Sequence, residues 1–497
     1  VTRWAWVIDH TRCIGCHACT TACKSENDVA LGVFRTWVKQ VDVGVFPAVR
    51  RHFAVLRCNH CEEPPCVYIC PVTAMYQRPD GLVDFDEDRC IGCKACMQAC
   101  PYDAIYMDPD TDTAAKCNFC SHRVDQQLLP ACVVVCPVEA LLFGDLDDPT
   151  SKVSRALGAQ PVSVRRPEQG TRPKAFYVGA HQAALDPLGA SHETMYMWSD
   201  RPRGNGRHSK RSLPLAARVS YDIPKPKPWG WKVSLYIWTK SVAAGSGLLA
   251  AAAHLSGATG GPLLRWYTPL LALIFLGLTG ALLVADLKRP ERFWTVLTRP
   301  QWRSWLARGA FIITGYGLAL ALWVAAAWLG AEPALDLLAW PLALLAVATA
   351  IYTASLLGQC EARDLWQSPL TLPQLALHAL VAGLAALFLA APFYGLRPQA
   401  WLAQSFAVLM TLTAALAAAD AWAPHSTTNA AAAARSLTRG RHARPFWVAV
   451  LGCLLLPAAL VLSGGGSAVF PAAALALAGL LLHSHALVLA GQEPPIS

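Results

Sequence analysis

The placement of the cysteines constrains this chain more than any other feature. Of eighteen cysteines in 497 residues, sixteen fall into four quartets. These are Cys13, Cys16, Cys19 and Cys23; Cys58, Cys61, Cys66 and Cys70; Cys90, Cys93, Cys96 and Cys100; and Cys117, Cys120, Cys132 and Cys136. Three quartets close with Cys-Pro, at Cys70-Pro71, Cys100-Pro101 and Cys136-Pro137. C-x2-C pairs also build zinc ribbons, but zinc needs neither a third cysteine three residues on nor a Cys-Pro close. A disulfide framework is disfavoured, because tight C-x2-C-x2-C runs bridge poorly and no secretory leader precedes Cys13. A [4Fe–4S] cube takes four thiolates, and C-x2-C-x2-C-x3-C-P is a cube-binding run. Sixteen thiolates match four cubes with none left over, so the sequence predicts a carrier of electrons.

Composition divides the chain in three. Residues 1–185 hold the quartets and most of the acids, with β-like runs at 4–8, 53–56 and 82–85 between the cysteine loops. Residues 186–230 form a linker rich in Pro, Gly and basic residues, including Asp200-Arg201-Pro202-Arg203-Gly204-Asn205-Gly206-Arg207 and Pro224-Lys225-Pro226-Lys227-Pro228. Such a stretch buries too little apolar surface to fold alone, so it is expected to lie along another surface. Residues 231–497 are Ala- and Leu-rich. The net charge of +9 does not point to nucleic acid, because the basic residues cluster at the ends of apolar segments. Residues 1–6 show neither an apolar h-region nor a twin-arginine pair, so no export of the cysteine domain is expected.

Eight apolar segments occupy roughly 233–254, 267–286, 309–329, 336–357, 371–392, 401–419, 446–464 and 468–490. Each is near the twenty or so residues that cross a hydrocarbon core. The last two are separated only by a turn at Gly464-Gly465-Gly466. Trp229, Trp231, Trp266, Trp294, Trp401 and Trp447 sit near span ends, as an aromatic belt would place them. Connections on the side of both termini carry Lys288, Arg289, Arg292, Arg299, Arg303, Arg308, Arg363, Arg435, Arg439, Arg441 and Arg444; the opposite ones carry Arg265 and Arg397. That asymmetry predicts a multi-pass protein of the cytoplasmic membrane, with the iron–sulfur domain facing the cytoplasm.

The quartets, with Cys23-Lys24-Ser25-Glu26-Asn27 and Cys66-Val67-Tyr68-Ile69-Cys70-Pro71, resemble the four-cluster electron-transfer subunits of molybdopterin oxidoreductases. That group includes dimethyl sulfoxide reductase, polysulfide reductase and membrane formate dehydrogenase. The segment Ala285-Asp286-Leu287-Lys288-Arg289-Pro290-Glu291-Arg292-Phe293-Trp294, followed by Arg299-Pro300 and Ser304-Trp305-Leu306-Ala307-Arg308, resembles the NrfD-like polysulfide-reductase membrane subunits. The chain thus looks like a fusion of the two. The resemblance implies an α+β double ferredoxin-like iron–sulfur domain followed by an all-α transmembrane domain of eight helices. It implies four [4Fe–4S] clusters, quinone and no haem, with membrane lipid and a molybdopterin-type catalytic subunit as partners. It also implies a crossed ligand set, because the fourth cysteine of each ferredoxin run serves the other run's cluster. Cys13, Cys16 and Cys19 would join Cys136, and Cys117, Cys120 and Cys132 would join Cys23. Cys58, Cys61 and Cys66 would join Cys100, and Cys90, Cys93 and Cys96 would join Cys70.

Lys24, Lys94 and Lys116 sit beside cysteines and are candidates for tuning cluster potentials, the alternative being solvated surface charge. Ionisable groups within spans default to function. Lys240, with Tyr236 nearby, lies early in the first span, and Asp286, Arg289 and Arg292 follow the second. Together they are the expected quinone site, against a snorkelling Lys240 and a structural Asp286–Arg289 ion pair. His254, His378, His483 and His485 are the histidines a haem would need, but no pair falls convincingly on facing helices. Cys360 and Cys453 read as packed membrane cysteines. The expected function is therefore an iron–sulfur and quinone-binding membrane subunit of an oxidoreductase complex, with substrate chemistry on another chain. The rival is an electron-driven proton-translocating module, with Asp420, Glu361 and His378 as path residues.

The charge asymmetry makes one firm prediction. A topology reporter fused after Ser497 is active in the cytoplasm; activity only outside the membrane would reverse the orientation.

Overall fold

The computed structural model describes residues 2–191, 217–257, 261–396, 399–464 and 468–497. The basic stretch from Asp200 to Arg207, Arg397 and the Gly465-Gly466 turn lie outside them. The chain forms two compact units, Val1–Pro226 with Pro495–Ser497, and Lys227–Pro494.

The first unit is α+β. Its strands are β1 (Trp4–Asp9), β2 (Thr36–Val43), β3 (Arg50–Arg57), β4 (Met75–Gln77), β5 (Val83–Phe85), β6 (Ile105–Met107), β7 (Ala114–Lys116), β8 (Leu141–Asp145), β9 (Val162–Ser163), β10 (Ala175–Val178) and β11 (Ala217–Tyr221). One sheet has the order β8-β1-β10-β9, with β1 parallel to β10. A second has the order β11-β2-β3, and β4-β5 and β6-β7 are separate hairpins. The unit runs past residue 185 because β11, inside the stretch read as linker, pairs antiparallel with β2. Backbone pairing thus holds a segment whose composition could not bury itself. In β2 and β3, Trp37, Val41, Ala54 and Leu56 build a core with Ala183, Ala184 and Ala217.

The cysteine loops repeat one backbone pattern. The second residue after each quartet's first cysteine has positive φ: Gly15 at 70°, His60 at 45°, Gly92 at 68° and Phe119 at 60°. The third residue after each Cys-Pro cysteine does likewise, at Thr73, Asp103 and Glu139. Left-handed turns fold each run around a centre instead of letting it continue as a helix. Gly15 is required twice over, since a Cβ there would also strike the Phe53 ring.

The second unit is all-α. Its long helices are α1 (Trp231–Leu255), α2 (Leu263–Ala285), α3 (Trp305–Leu329), α4 (Glu332–Gly358), α5 (Thr371–Tyr394), α6 (Ala400–Trp422), α7 (Ala443–Leu462) and α8 (Val469–Gly491). They lie at the eight expected places, but only seven are apolar enough to cross a membrane by composition, and α1 is the exception. Its surroundings explain this. Nine successive residues of α1, from Thr239 to Gly247, are buried, so its whole circumference meets protein, and its polar side chains bond to other helices. Thr239 bonds Thr279 at 2.8 Å and the Tyr316 hydroxyl donates to the Ala243 carbonyl at 2.8 Å. The outer helices instead carry exposed apolar stripes at helical spacing, such as Leu270, Ile274 and Leu278 on α2, and Leu337, Trp340 and Leu344 on α4. Trp231, Trp294 and Trp401 are exposed as belt residues should be, whereas Trp229 is buried and stacked on Trp366 at 5.6 Å.

Close approach of α1 and α5 depends on two glycines. A Cβ at Gly245 would fall on the Ala379 carbonyl, and one at Gly383 on the Gly245 backbone. Small residues at such a crossing let helices associate in lipid, where no hydrophobic force draws them together. Gly245→Leu should therefore cost about 3 kcal/mol and reduce the folded protein recovered from membranes several-fold. Gly280→Ala, facing open space, leaves that yield unchanged.

Candidate functional site

The fold divides the sixteen quartet thiols into four groups. Cys13 stands with Cys16 and Cys136, and Cys19 with Cys13 and Cys136. Cys23 stands with Cys117, Cys120 and Cys132. Cys61 and Cys66 stand with Cys58 and Cys100, and Cys93 and Cys96 with Cys70 and Cys90. Every group thus takes three cysteines from one run and one from another. The groups adjoin in a row, through Cys19 beside Cys132, Cys117 beside Cys58 and Cys66 beside Cys96. Cys16, in the first group, is exposed, and most of the others are buried.

The donor set suits iron–sulfur cubes. One space opens among Cys23, Cys117, Cys120 and Cys132, and another among Cys70, Cys90, Cys93 and Cys96. Among the described residues, no three His, Cys, Asp or Glu side chains converge to hold one metal ion, as a zinc bound at about 2.3 Å requires. Thiols set around a larger cube need no such convergence. Burial pushes the Cys19 thiol up to about 11 and that of Cys117 to about 12, so thiolates at those places need a bound cation. Amide donors already point at the sulfurs: Ala74 N–H to Cys70 at 3.2 Å, Gly92 and Ala114 N–H to Cys90 at 3.4 Å, and Ala140 N–H to Cys136 at 3.3 Å. The Asn27 amide reaches both Cys23 and Cys120, at 3.8 and 3.6 Å.

Charge balance carries the same message. Among the described residues of this unit, Lys39, Arg57, Lys116, Arg165, Arg166 and Lys174 are buried, against one buried carboxylate, Asp84. Lys39 Nζ, Arg57 Nε and Nη2, and Arg165 Nε and Nη1 have no acceptor in the protein. Burying charge without a partner is strongly unfavourable, and cubes held by four thiolates are anionic. Of the three lysines singled out from sequence, Lys116 is fully buried and donates to the Val83 and Cys117 carbonyls. Lys24 is tied to the Ala30 and Val33 carbonyls at 2.8 and 2.7 Å, and Lys94 takes a left-handed position before the helix Ala95–Ala99. Arg57 and Lys174 were not foreseen. The one signal for Arg57 is a charged residue ending a run of apolar strand residues beside Cys58.

In the second unit, Lys240 is fully buried instead of snorkelling. Nine residues into α1, or about 14 Å along the axis, its Nζ donates at 2.8 Å to both the Ala350 carbonyl and Thr353 Oγ1 of α4. The Tyr352 ring centroid lies 4.8 Å away. Thr353 also stands beside Tyr236 and Tyr352, and Asp286 is within electrostatic reach of Tyr236. The polar partners of Lys240 are therefore on α4, not in the loop after α2. Arg289 pairs with Glu291 at 3.4 Å, and Arg292 closes a turn, Pro290–Arg292. His254 bonds Asp336 at 2.8 Å and His485 bonds Ser234 at 3.2 Å, while His378 and His483 meet edge to face at 5.2 Å. Asp420 accepts from Ser368, and in the loop after α4 burial pushes the Glu361 carboxyl up to about 7. Cys360 and Cys453 are buried.

These features define an iron–sulfur protein joined to a polytopic helical membrane unit. Comparison with known families agrees: residues 49–146 match a 4Fe-4S dicluster domain and residues 10–29 a 4Fe-4S binding domain. The protein belongs to the polysulphide reductase NrfD family, whose model matches residues 220–495, and it is a multi-pass membrane protein. A tetrathionate reductase subunit of Salmonella typhimurium is 46% identical over 37% of this chain and 76% of its own length. A polysulfide reductase component of Wolinella succinogenes is 41% identical over 37% of this chain and 98% of its own. For a sulfite dehydrogenase subunit of Allochromatium vinosum the values are 40%, 36% and 83%. These relatives are subunits of oxidoreductase complexes, and each match covers little more than a third of this chain.

Protein purified anaerobically should contain about sixteen irons and as many acid-labile sulfides per chain. Cys93→Ser should lose or alter one cluster of four, read as iron loss of about a quarter or a changed paramagnetic signal. Iron near eight, or zinc in its place, would refute the assignment.

Proposed function

We propose that this chain passes electrons between a separate molybdenum- or tungsten-dependent catalytic subunit and the membrane quinone pool. The row of four thiol groups is the observation that carries the reading. Each group would hold one [4Fe–4S] cluster, which takes up and releases a single electron at a potential tuned by the protein within roughly −700 to +450 mV. Quinone exchanges two electrons and two protons, so several one-electron sites in a row match a two-electron reaction at either end. The basic-residue asymmetry supports an iron–sulfur domain on the cytoplasmic side. The sulfur-compound and sulfite chemistry in the relatives' names supports a partner acting on an oxyanion or sulfur substrate, on a chain other than this one.

Lys240 is the residue best placed to meet quinone. Two of its three N–H groups are spent on Ala350 and Thr353, which leaves one for a quinone oxygen. Thr353 fixes the ammonium while Tyr236 and Tyr352 supply hydroxyls beside it. Asp286, near Tyr236, is the carboxylate through which protons would reach that group; Arg289 and Arg292 are retained as charges flanking the loop.

A second reading, in which electron flow drives protons through the helices, is favoured by one observation. Gln374 Nε2 lies 3.2 Å from His483 Nε2, while His378 Nε2, His483 Nδ1 and Gln374 Oε1 are buried without protein partners. Such a cluster is a plausible seat for ordered water.

Lys240→Met, in vesicles supplied with a short-chain quinone, should lower quinone reduction at least tenfold while dye reduction by the clusters persists. Unchanged quinone turnover removes Lys240 from the site. In the same vesicles, proton uptake beyond two per quinone, lost in His483→Gln, would favour the proton-moving reading.

A further inference from the structure

Arg57 ends β3 one residue before Cys58, yet its guanidinium turns to different thiols. Nη1 donates to Cys132 Sγ at 3.2 Å. The group lies over the Trp6 ring, 4.3 Å from its centroid, and is fully enclosed. The thiols that act on it most strongly are Cys132, Cys117 and Cys19, and it acts in turn on Cys13 and Cys23. Those five thiols belong to two adjoining groups, Cys13/Cys16/Cys19/Cys136 and Cys23/Cys117/Cys120/Cys132. Nε and Nη2 remain without an acceptor. Other buried cations near the cysteines are used differently. Lys116 donates to the Val83 and Cys117 carbonyls, and Lys174 to the Gly81 carbonyl. Arg57, by contrast, bonds a sulfur directly and has N–H groups to spare.

We infer that Arg57 is a positioning charge that raises the reduction potential of the cluster held by Cys23, Cys117, Cys120 and Cys132, and to a lesser extent that of its neighbour at Cys13, Cys16, Cys19 and Cys136. The inference rests on reading the thiol groups as cluster sites. Reduction adds one electron to a centre that is already anionic. A guanidinium held in low dielectric stabilises the reduced form more than the oxidised one, and an N–H donated to sulfur acts in the same direction. Arginine suits the place because it stays protonated at any working pH and is weakly hydrated, with donors fixed in a plane. The consequence is that an electron rests on this pair more readily than it would without the guanidinium.

The test is a redox titration of the full chain, purified anaerobically in detergent and followed by electron paramagnetic resonance. Wild type, Arg57→Met and Arg57→Lys are compared, with Cys120→Ser used to identify which signal belongs to the cluster in question. In Arg57→Met the reduced-to-oxidised ratio of that cluster at a fixed poise should fall about tenfold, which for one electron is about 59 mV. The neighbouring cluster should fall less and the other two should hold. Arg57→Lys keeps the charge but not the bond to Cys132, and should give a smaller fall in the same cluster. The inference is overturned if either variant retains all its iron and titrates as wild type. It is equally overturned if both variants lose the cluster, since Arg57 would then serve assembly and not potential. Wild-type protein without the four clusters would instead refute the reading of the thiol groups.

Discussion

Burial of charge is the constraint on which the rest of the first unit depends. Sixteen thiols, most of them buried, and six buried cations share a unit containing one buried carboxylate among the described residues. As bare groups they form an unstable set, with thiols pushed towards protonation and with N–H groups of Lys39, Arg57 and Arg165 that no acceptor meets. Iron–sulfur clusters resolve both difficulties, because iron makes the thiols thiolates and the anionic result neutralises Arg57 and its fellow cations. Folding and cluster binding are then one process, as they are for small metal-dependent domains. The short β4-β5 and β6-β7 hairpins, with only three residues in each strand, make sense in that light. Their role is to hold left-handed loops around inorganic cores that supply much of the stabilisation.

The second unit obeys the opposite economy. Its outer helices expose apolar stripes, and its polar groups lie within. Polar residues there are met by other helices or by their own backbone, while Ser246, Gln374, His378 and His483 are among those keeping a buried polar atom that no protein group meets. Helix α1 is the clearest case: being enclosed, it can carry Thr239, Lys240 and Ser241 in succession, each bonded to a carbonyl or hydroxyl. The glycine contact with α5 is part of the same arrangement, because a helix in the middle of a bundle must be approached closely from several sides. Packing and the proposed quinone contact thus meet on one helix, and its low hydropathy marks that position.

The cysteine spacing pointed to the chemistry of the first unit and the count of thiols, since a cluster run tolerates little variation in spacing, while its α+β class followed from the resemblance that the quartets carry. The apolar periods determined where eight helices lie, although not that α1 would differ from the other seven. Partners across the fold were not legible. Local sequence placed Lys240 beside Tyr236, but its hydrogen bonds run to Ala350 and Thr353, more than a hundred residues away. Arg289 and Arg292 looked like neighbours of that lysine because the start of the first span and the end of the second fall on one side, yet nothing local fixes which way a long side chain turns. Arg57 is adjacent to Cys58 in sequence and bonded to Cys132 in space, and β11 was hidden in a basic linker because its pairing partner is β2. Spacing along a chain sets what a segment can ligate or span, while the identity of each buried group's partner is decided only when distant segments meet and every charge must find its opposite.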